Sequence, residues 1–213
     1  MRRAATSLQI LNSKFEELPF DGIWQELFGT PEVGGCWLVW GESANGKTAF
    51  ALQLAKYLCN YERVAFDSIE EGISKSLRDA IKREEMITTQ DRFIVLDKEP
   101  IDALEERLTR QRSPSVVIID SVQYTGLNKL SAKDLIDRHP HKLFIFTSHA
   151  SGKYPDGRTA NAMRYHASVK IRIEGFRAFI QSRYGGDKEK YYEIYKEGAG
   201  RYWSFVNDKN DDK

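Results

Sequence analysis

The stretch GESANGKT, Gly41 to Thr48, follows the apolar run CWLVW (36–40) and leads into KTAFALQLAKYLCNY (47–61), whose apolar residues recur at helical spacing. A buried strand that feeds a glycine-rich turn opening directly into a helix restricts the chain to layered α/β folds. Gly41, Gly46, Lys47 and Thr48 satisfy the pattern G-x-x-x-x-G-K-[ST], with Glu42, Ser43, Ala44 and Asn45 between them. Such a loop can wrap phosphate oxygens in backbone N–H groups, and the helix N-terminus adds partial positive charge. Lys47 then reaches the β and γ phosphates of ATP, and the Thr48 hydroxyl is placed to ligate Mg²⁺. A plain turn joining strand to helix is the alternative, and the two flanks argue against it.

The alternation continues downstream. RVAFD (63–67), RFIVLD (92–97), SVVIID (115–120) and KLFIFTS (142–148) read as strands, and ISKSLRDAIKREEM (73–86) and PIDALEERLTRQ (100–111) as helices. Upstream, FDGIWQELFG reads as a short helix with Asp21 as its N-cap and Gly29 just past its end. The fold expected is a mostly parallel sheet with helices on both faces. ASVKIRIEG, FRAFIQSRYGG and KYYEIYKEG alternate and are punctuated by glycine, so they are expected as antiparallel strands on one edge. No repeat or linker divides the chain. Its expected organisation is an N-terminal arm (1–20) suited to oligomerisation, a core (21–206) and a polar tail (207–213).

Composition narrows the partners. Thirty-two basic residues against thirty-one acidic ones leave a net charge of +1, so any nucleic-acid site must be a local patch. Cys36 and Cys59 sit within predicted elements and read as core residues rather than a disulfide or zinc module. With no long apolar run, the expectation is a cytoplasmic protein without a membrane segment. His139 and His141 have no companion ligands and read as loop residues.

A phosphate loop needs an acidic partner for the metal, and Asp120 supplies one at the end of the buried run VVIID. Hydrolysis also needs a group to orient water, and the candidates are Glu70 and Glu71 in FDSIEEG, just past the second core strand.

GESANGKT, VAFDSIEEG, VVIIDSVQ and FIFTSHASGK, in this order and at these separations, resemble the RecA/RadA/KaiC/DnaB class of P-loop ATPases across residues 34–185. The resemblance implies ATP hydrolysis with Glu70 activating water, Glu71 as its understudy, and Asp120 on the metal. It makes His149, at the end of the next strand, a sensor of the γ-phosphate. A Lys-x-Arg on a late strand of RadA and DnaB relatives reaches the neighbouring subunit's nucleotide. Here Arg183 is kept and Gln181 replaces the lysine, so the resemblance implies a homo-oligomer with ATP at its interfaces and leaves the strength of the trans contact open. The short, core-only chain most resembles the phage and mobile-element Sak group, which implies single-stranded DNA as ligand, a role in recombination, annealing or repair, and an annealing or single-strand-binding protein as a further partner.

In that class two loops face DNA, here 121–132 and 150–166. From 150 to 172 five basic residues stand against Asp156 alone, an excess of four. Lys153, Arg158 and Arg164 suit backbone tracking, and Tyr154 and Tyr165 suit base stacking. Tyr124 and Lys129 are the weaker candidates of the first loop. A KaiC-like switch, with 150–166 docking a protein and no DNA, is the rival reading. A small-molecule kinase is disfavoured by the lack of a lid-like arginine cluster. Leu8, Ile10, Leu11 and Phe15 of the arm have no obvious core to join.

Overall fold

The computed structural model describes residues 4–211, with side chains through 206. The P-loop strand β1 (Gly35–Gly41) and helix α3 (Lys47–Leu58) form as expected. They follow α1 (Ser7–Leu11) and α2 (Gly22–Phe28) and are followed by β2 (Val64–Asp67), α4 (Lys75–Arg83), β3 (Phe93–Leu96), α5 (Ile101–Thr109), β4 (Val116–Ile119), α6 (Lys129–Arg138) and β5 (Leu143–Ser151). The last third contains β6 (Tyr154–Pro155), α7 (Arg158–His166), β7 (Val169–Glu174), β8 (Arg177–Ser182), β9 (Tyr191–Glu193) and α8 (Lys196–Asp211).

The sheet order is β3-β2-β4-β5-β1-β7-β8-β9, with β6 pairing antiparallel to the end of β5. Strands β3 through β7 in that order are parallel, and β8 and β9 add on antiparallel. Alternate residues of the central strands face opposite layers, as a strand requires. Trp37, Val39, Phe66, Ile118 and Ile145 pack against Phe50, Leu54 and Leu58 of α3 and against α2 and α4. Leu38, Trp40, Ile119, Phe144 and Phe146 pack against α5, α6 and α7.

Two expectations for the last third are corrected, and they share a cause. Residues 150–166 are not an open loop but the end of β5, a turn, β6 and helix α7, and β7 is parallel to β1 rather than antiparallel. Ala160, Met163 and Ala167 are buried against the sheet, which makes α7 a crossover helix, and a crossover is what returns a chain to a parallel neighbour. Likewise 121–132 is a short 3₁₀ turn (Val122–Tyr124) followed by the start of α6, whose Asn128 side chain caps the Leu130 and Ser131 N–H groups. KYYEIYKEG gives only the short β9 before α8 begins.

Asp21 occupies the N-cap position of α2, but its carboxylate accepts from the Tyr57 hydroxyl at 2.7 Å instead of capping the helix. Leu8, Ile10, Leu11 and Phe15 are exposed, whereas Leu18 and Phe20, at the end of the arm, are buried in the core. Residues 1–3 and 212–213 lie outside the described residues, residues 207–211 prolong α8, and side chains of the tail 207–213 are not described. Cys36 and Cys59 are free and buried. Among the described residues no helix is long and apolar enough to cross a membrane.

Candidate functional site

The carboxyl ends of the parallel strands open into a cleft of about 810 Å³ lined by Ser43, Lys47, Thr48, Glu70, Asp120 and His149, with a far end that mixes apolar and polar side chains. Two glycines are required by geometry. Gly46 caps α3 with φ 98°, and a Cβ on Gly41 would stand 2.4 Å from the Ile173 carbonyl oxygen of β7. Ala44 adopts φ 61° within the loop. Asn45 ties the loop to itself and to the β7–β8 turn: its Nδ2 donates to the Ser43 carbonyl at 3.1 Å and its Oδ1 accepts the Gly175 N–H at 2.8 Å.

Lys47 donates to the Glu42 carbonyl at 2.8 Å. Burial lowers the affinity of its amine for a proton, against the opposing pull of Asp120, Glu70 and Glu42. The Thr48 hydroxyl lies 3.5 Å from Asp120 Oδ2, while Thr147 donates to Asp120 Oδ1. Burial pushes the Asp120 carboxyl up and Glu70 and Glu71 add repulsion, opposed by the Thr147 hydrogen bond and by Lys47. A hydroxyl and a carboxylate facing each other at this separation are hard oxygen donors of the kind Mg²⁺ takes alongside phosphate oxygens, so the residues fit that ion.

Glu70 is clamped from three directions. Its N–H donates to the Asp120 carbonyl at 3.0 Å, Ser121 donates to Glu70 Oε2 at 2.9 Å, and His149 Nε2 lies 3.5 Å from the same oxygen. Glu71 also lines the cleft, but it accepts from the Ser74 hydroxyl at 3.0 Å, which ties it to the N-terminus of α4. Ser121 and Thr147 carry no sequence signature of their own. Their signal is position: one follows Asp120, and the other stands two residues before His149 on the neighbouring strand.

Arg183 stands elsewhere. Gly41, Ile173 and Ala178 are level across β1, β7 and β8, and Arg183, just past the end of β8, lies five residues further along, about 17 Å toward the opposite end of the sheet. It is exposed, and its guanidinium donates to the Tyr165 carbonyl at 3.3 Å. It therefore cannot serve the cleft of its own chain.

Three residues of the 150–166 segment, Tyr154, Arg164 and Tyr165, meet in one cluster. The Arg164 guanidinium lies over the rings of Tyr154, at 4.6 Å, and Tyr165, at 5.3 Å. Both tyrosines are mostly exposed, as are Lys153 and Arg158. The segment is braced to the cleft, because the Asp156 N–H donates to the His149 carbonyl at 2.9 Å and Gln123 Nε2 bridges Ser148 Oγ, at 2.8 Å, and the Asp156 carbonyl, at 3.0 Å. Tyr124 is also exposed, its ring 6.4 Å from that of His149.

No protein-family model matches the sequence, and no curated protein is significantly similar to it. Solved structures are similar in fold. The flagellar accessory protein FlaH from Methanocaldococcus jannaschii superposes with a TM-score of 0.59 at 17% identity, covering 84% of this chain and 93% of that one. A second solved structure, that of an ATPase domain, superposes with a TM-score of 0.56 at 15% identity, covering 78% of this chain and 84% of that one. With the glycine-rich loop, the parallel sheet and the C-terminal antiparallel strands, these likenesses establish a RecA-like P-loop fold for this chain.

Proposed function

We propose that this protein binds and hydrolyses ATP as a homo-oligomer and acts on single-stranded DNA in recombination, strand annealing or repair. The observation that carries the hydrolytic half is the clamping of Glu70 by Ser121, His149 and the Asp120 carbonyl beside the phosphate loop. A carboxylate held in that place, with its second oxygen unoccupied by those partners, orients water and accepts its proton. Lys47 and the N-terminal amides of α3 bind the phosphates. Thr48 and Asp120 hold Mg²⁺, which neutralises phosphate charge when bound. His149 reports the state of the terminal phosphate, and its backbone bond to Asp156 carries that state to the basic segment.

Arg183 is the group supplied to the neighbour, which agrees with its distance from its own cleft. An arginine delivered in trans stabilises charge on the transferring group and makes turnover depend on assembly. The exposed apolar residues of α1 suit contact with the next subunit. Tyr154, Arg164 and Tyr165, flanked by Lys153 and Arg158, offer the alternating cation and ring surface that tracks a single strand. An annealing or single-strand-binding protein is a partner consistent with this role.

The test is ATP turnover by the wild type and by Glu70→Gln, with and without single-stranded DNA, at low and moderate salt. DNA should accelerate the wild type, less so as salt rises, and the substitution should abolish turnover while nucleotide still binds. Turnover indifferent to DNA at every salt concentration would remove DNA from the reading and leave an ATP-dependent switch that docks a protein on the same surface.

A further inference from the structure

The cleft has an end that the phosphate chemistry does not use. Along α3, Ala49 and Gln53 follow Thr48 on the wall of the cavity, and Gln53 stands about 8 Å down the axis from Thr48. Phe176, Ile194, Tyr195 and the pair Arg83 and Glu84 complete that end.

Its apolar wall is fixed in place. Phe176 is held at φ 59°, its ring makes an edge contact with Tyr195 at 5.8 Å, and a Cβ on Gly46 would lie 3.3 Å from Phe176 Cδ1. Phe176 and Gly175 are the two central residues of the tight turn joining β7 to β8, which needs positive φ at both, so the hairpin itself sets the position of the ring. Tyr195 is about half exposed, which leaves ring surface free for stacking.

The polar groups here are short of donors. Gln53 Nε2 donates to Glu84 Oε2 at 2.9 Å and to the Ile194 carbonyl at 3.2 Å, while Gln53 Oε1 is enclosed with no partner. The Glu84 side chain is only 12% exposed, and its Oε1 receives Arg83 Nε at 3.4 Å, near the limit of a hydrogen bond. Glu84 Oε1, held only by that long contact, is the carboxylate oxygen with acceptor capacity left for a donor that a ligand brings.

We propose that Glu84, braced by Gln53, reads the 6-amino group of an adenine base stacked against Phe176 and Tyr195, so that this cleft selects adenine nucleotides over purine nucleotides lacking that amine. The proposal rests on the nucleotide-binding reading above. Adenine presents a donor at position 6, whereas a 6-oxo purine presents an acceptor and sets two lone pairs against each other.

The test compares binding of ATP, purine riboside 5′-triphosphate, in which hydrogen replaces the amine, and inosine triphosphate, measured calorimetrically with Mg²⁺ and without DNA. Wild type should bind ATP at least about tenfold more tightly than either analogue. Glu84→Ala should bring ATP down to the level of the purine analogue and barely change the analogue itself. Tyr195→Ala should weaken all three alike. If Glu84→Ala fails to fold, Glu84→Gln serves, and it should narrow the preference for ATP. Equal wild-type affinity for ATP and the purine analogue, or a preference that survives both Glu84 substitutions, overturns the proposal and leaves nucleotide binding intact. Failure of the wild type to bind any of the three defeats the nucleotide reading itself.

Discussion

Asp67 closes β2 and is fully buried, yet it is an acid whose Oδ1 accepts only the Glu99 N–H, at 3.1 Å, and whose Oδ2 has no partner. Burial pushes its carboxyl from 3.8 up to about 6; Glu99 and Asp97 add to this, and the Glu99 N–H and Arg107 oppose it. Between those two values the native state binds more protons than the unfolded chain, so stability falls as pH rises, and the loss is complete above about pH 6. A separation of about two pH units corresponds to about 3 kcal/mol. Asp67→Asn keeps the shape and removes the charge. It should be more stable than the wild type by about 1–3 kcal/mol at pH 7.5, with the advantage vanishing near pH 4. Urea denaturation followed by tryptophan fluorescence at a series of pH values measures this, since Trp24, Trp37 and Trp40 are all buried. The difference between the two proteins isolates this one group. A difference constant with pH, or a variant less stable at pH 7.5, refutes the reasoning.

Four further outcomes are expected. Gly41→Ala should destabilise the fold by about 1–3 kcal/mol, seen as a lowered Tm, because the new methyl group would meet the Ile173 carbonyl at 2.4 Å. Ser121→Ala frees Glu70 Oε2 from its 2.9 Å donor and should lower kcat about tenfold with KM unchanged, and an equal rise in KM would count against it. Arg164→Ala should lower the slope of log affinity for single-stranded DNA against log salt by about 0.7, whereas Tyr154→Ala should weaken binding by about 1–3 kcal/mol with the slope intact. Arg183→Ala and Lys47→Ala should each be inactive alone and regain turnover when mixed, because one intact arginine then faces one intact phosphate loop. No recovery on mixing removes Arg183 from the trans role.

Most of the parallel core was legible because its strands are continuous apolar runs that end on chemistry: CWLVW on the phosphate loop and VVIID on Asp120. The region after β5 was not. ASGKYPDGRTANAMRYH reads as a loop through its glycines and charges, and the three residues that bury α7, Ala160, Met163 and Ala167, are too small or too few to announce a helix. Helix α8 was hidden by Gly198 and Gly200, which lower helix propensity. Gly198 is there for packing, since a Cβ would lie 2.6 Å from the Tyr195 ring and 2.7 Å from Phe176. At the site, the charged residues and the glycine-rich loop were visible as motifs. Ser121, Thr147, Gln123 and the far end of the cleft depend on which strand ends are neighbours, and local pattern carries no information about that.

The position of β1 has a consequence for how the chain reaches its final form. The P-loop strand is made early, yet its partners in the sheet are β5 and β7, which begin at Leu143 and Val169. During synthesis, therefore, an apolar strand and its glycine loop wait unpaired through more than a hundred residues of chain. Contacts so distant in sequence form late and close large loops, which slows folding and leaves the waiting strand open to wrong partners. The glycine-rich loop, tethered through Asn45 to Gly175, is then among the last features to take shape. On the nucleotide-binding reading proposed above, nucleotide affinity on a stalled ribosome would accordingly report completion of the C-terminal hairpin rather than emergence of the glycine-rich loop.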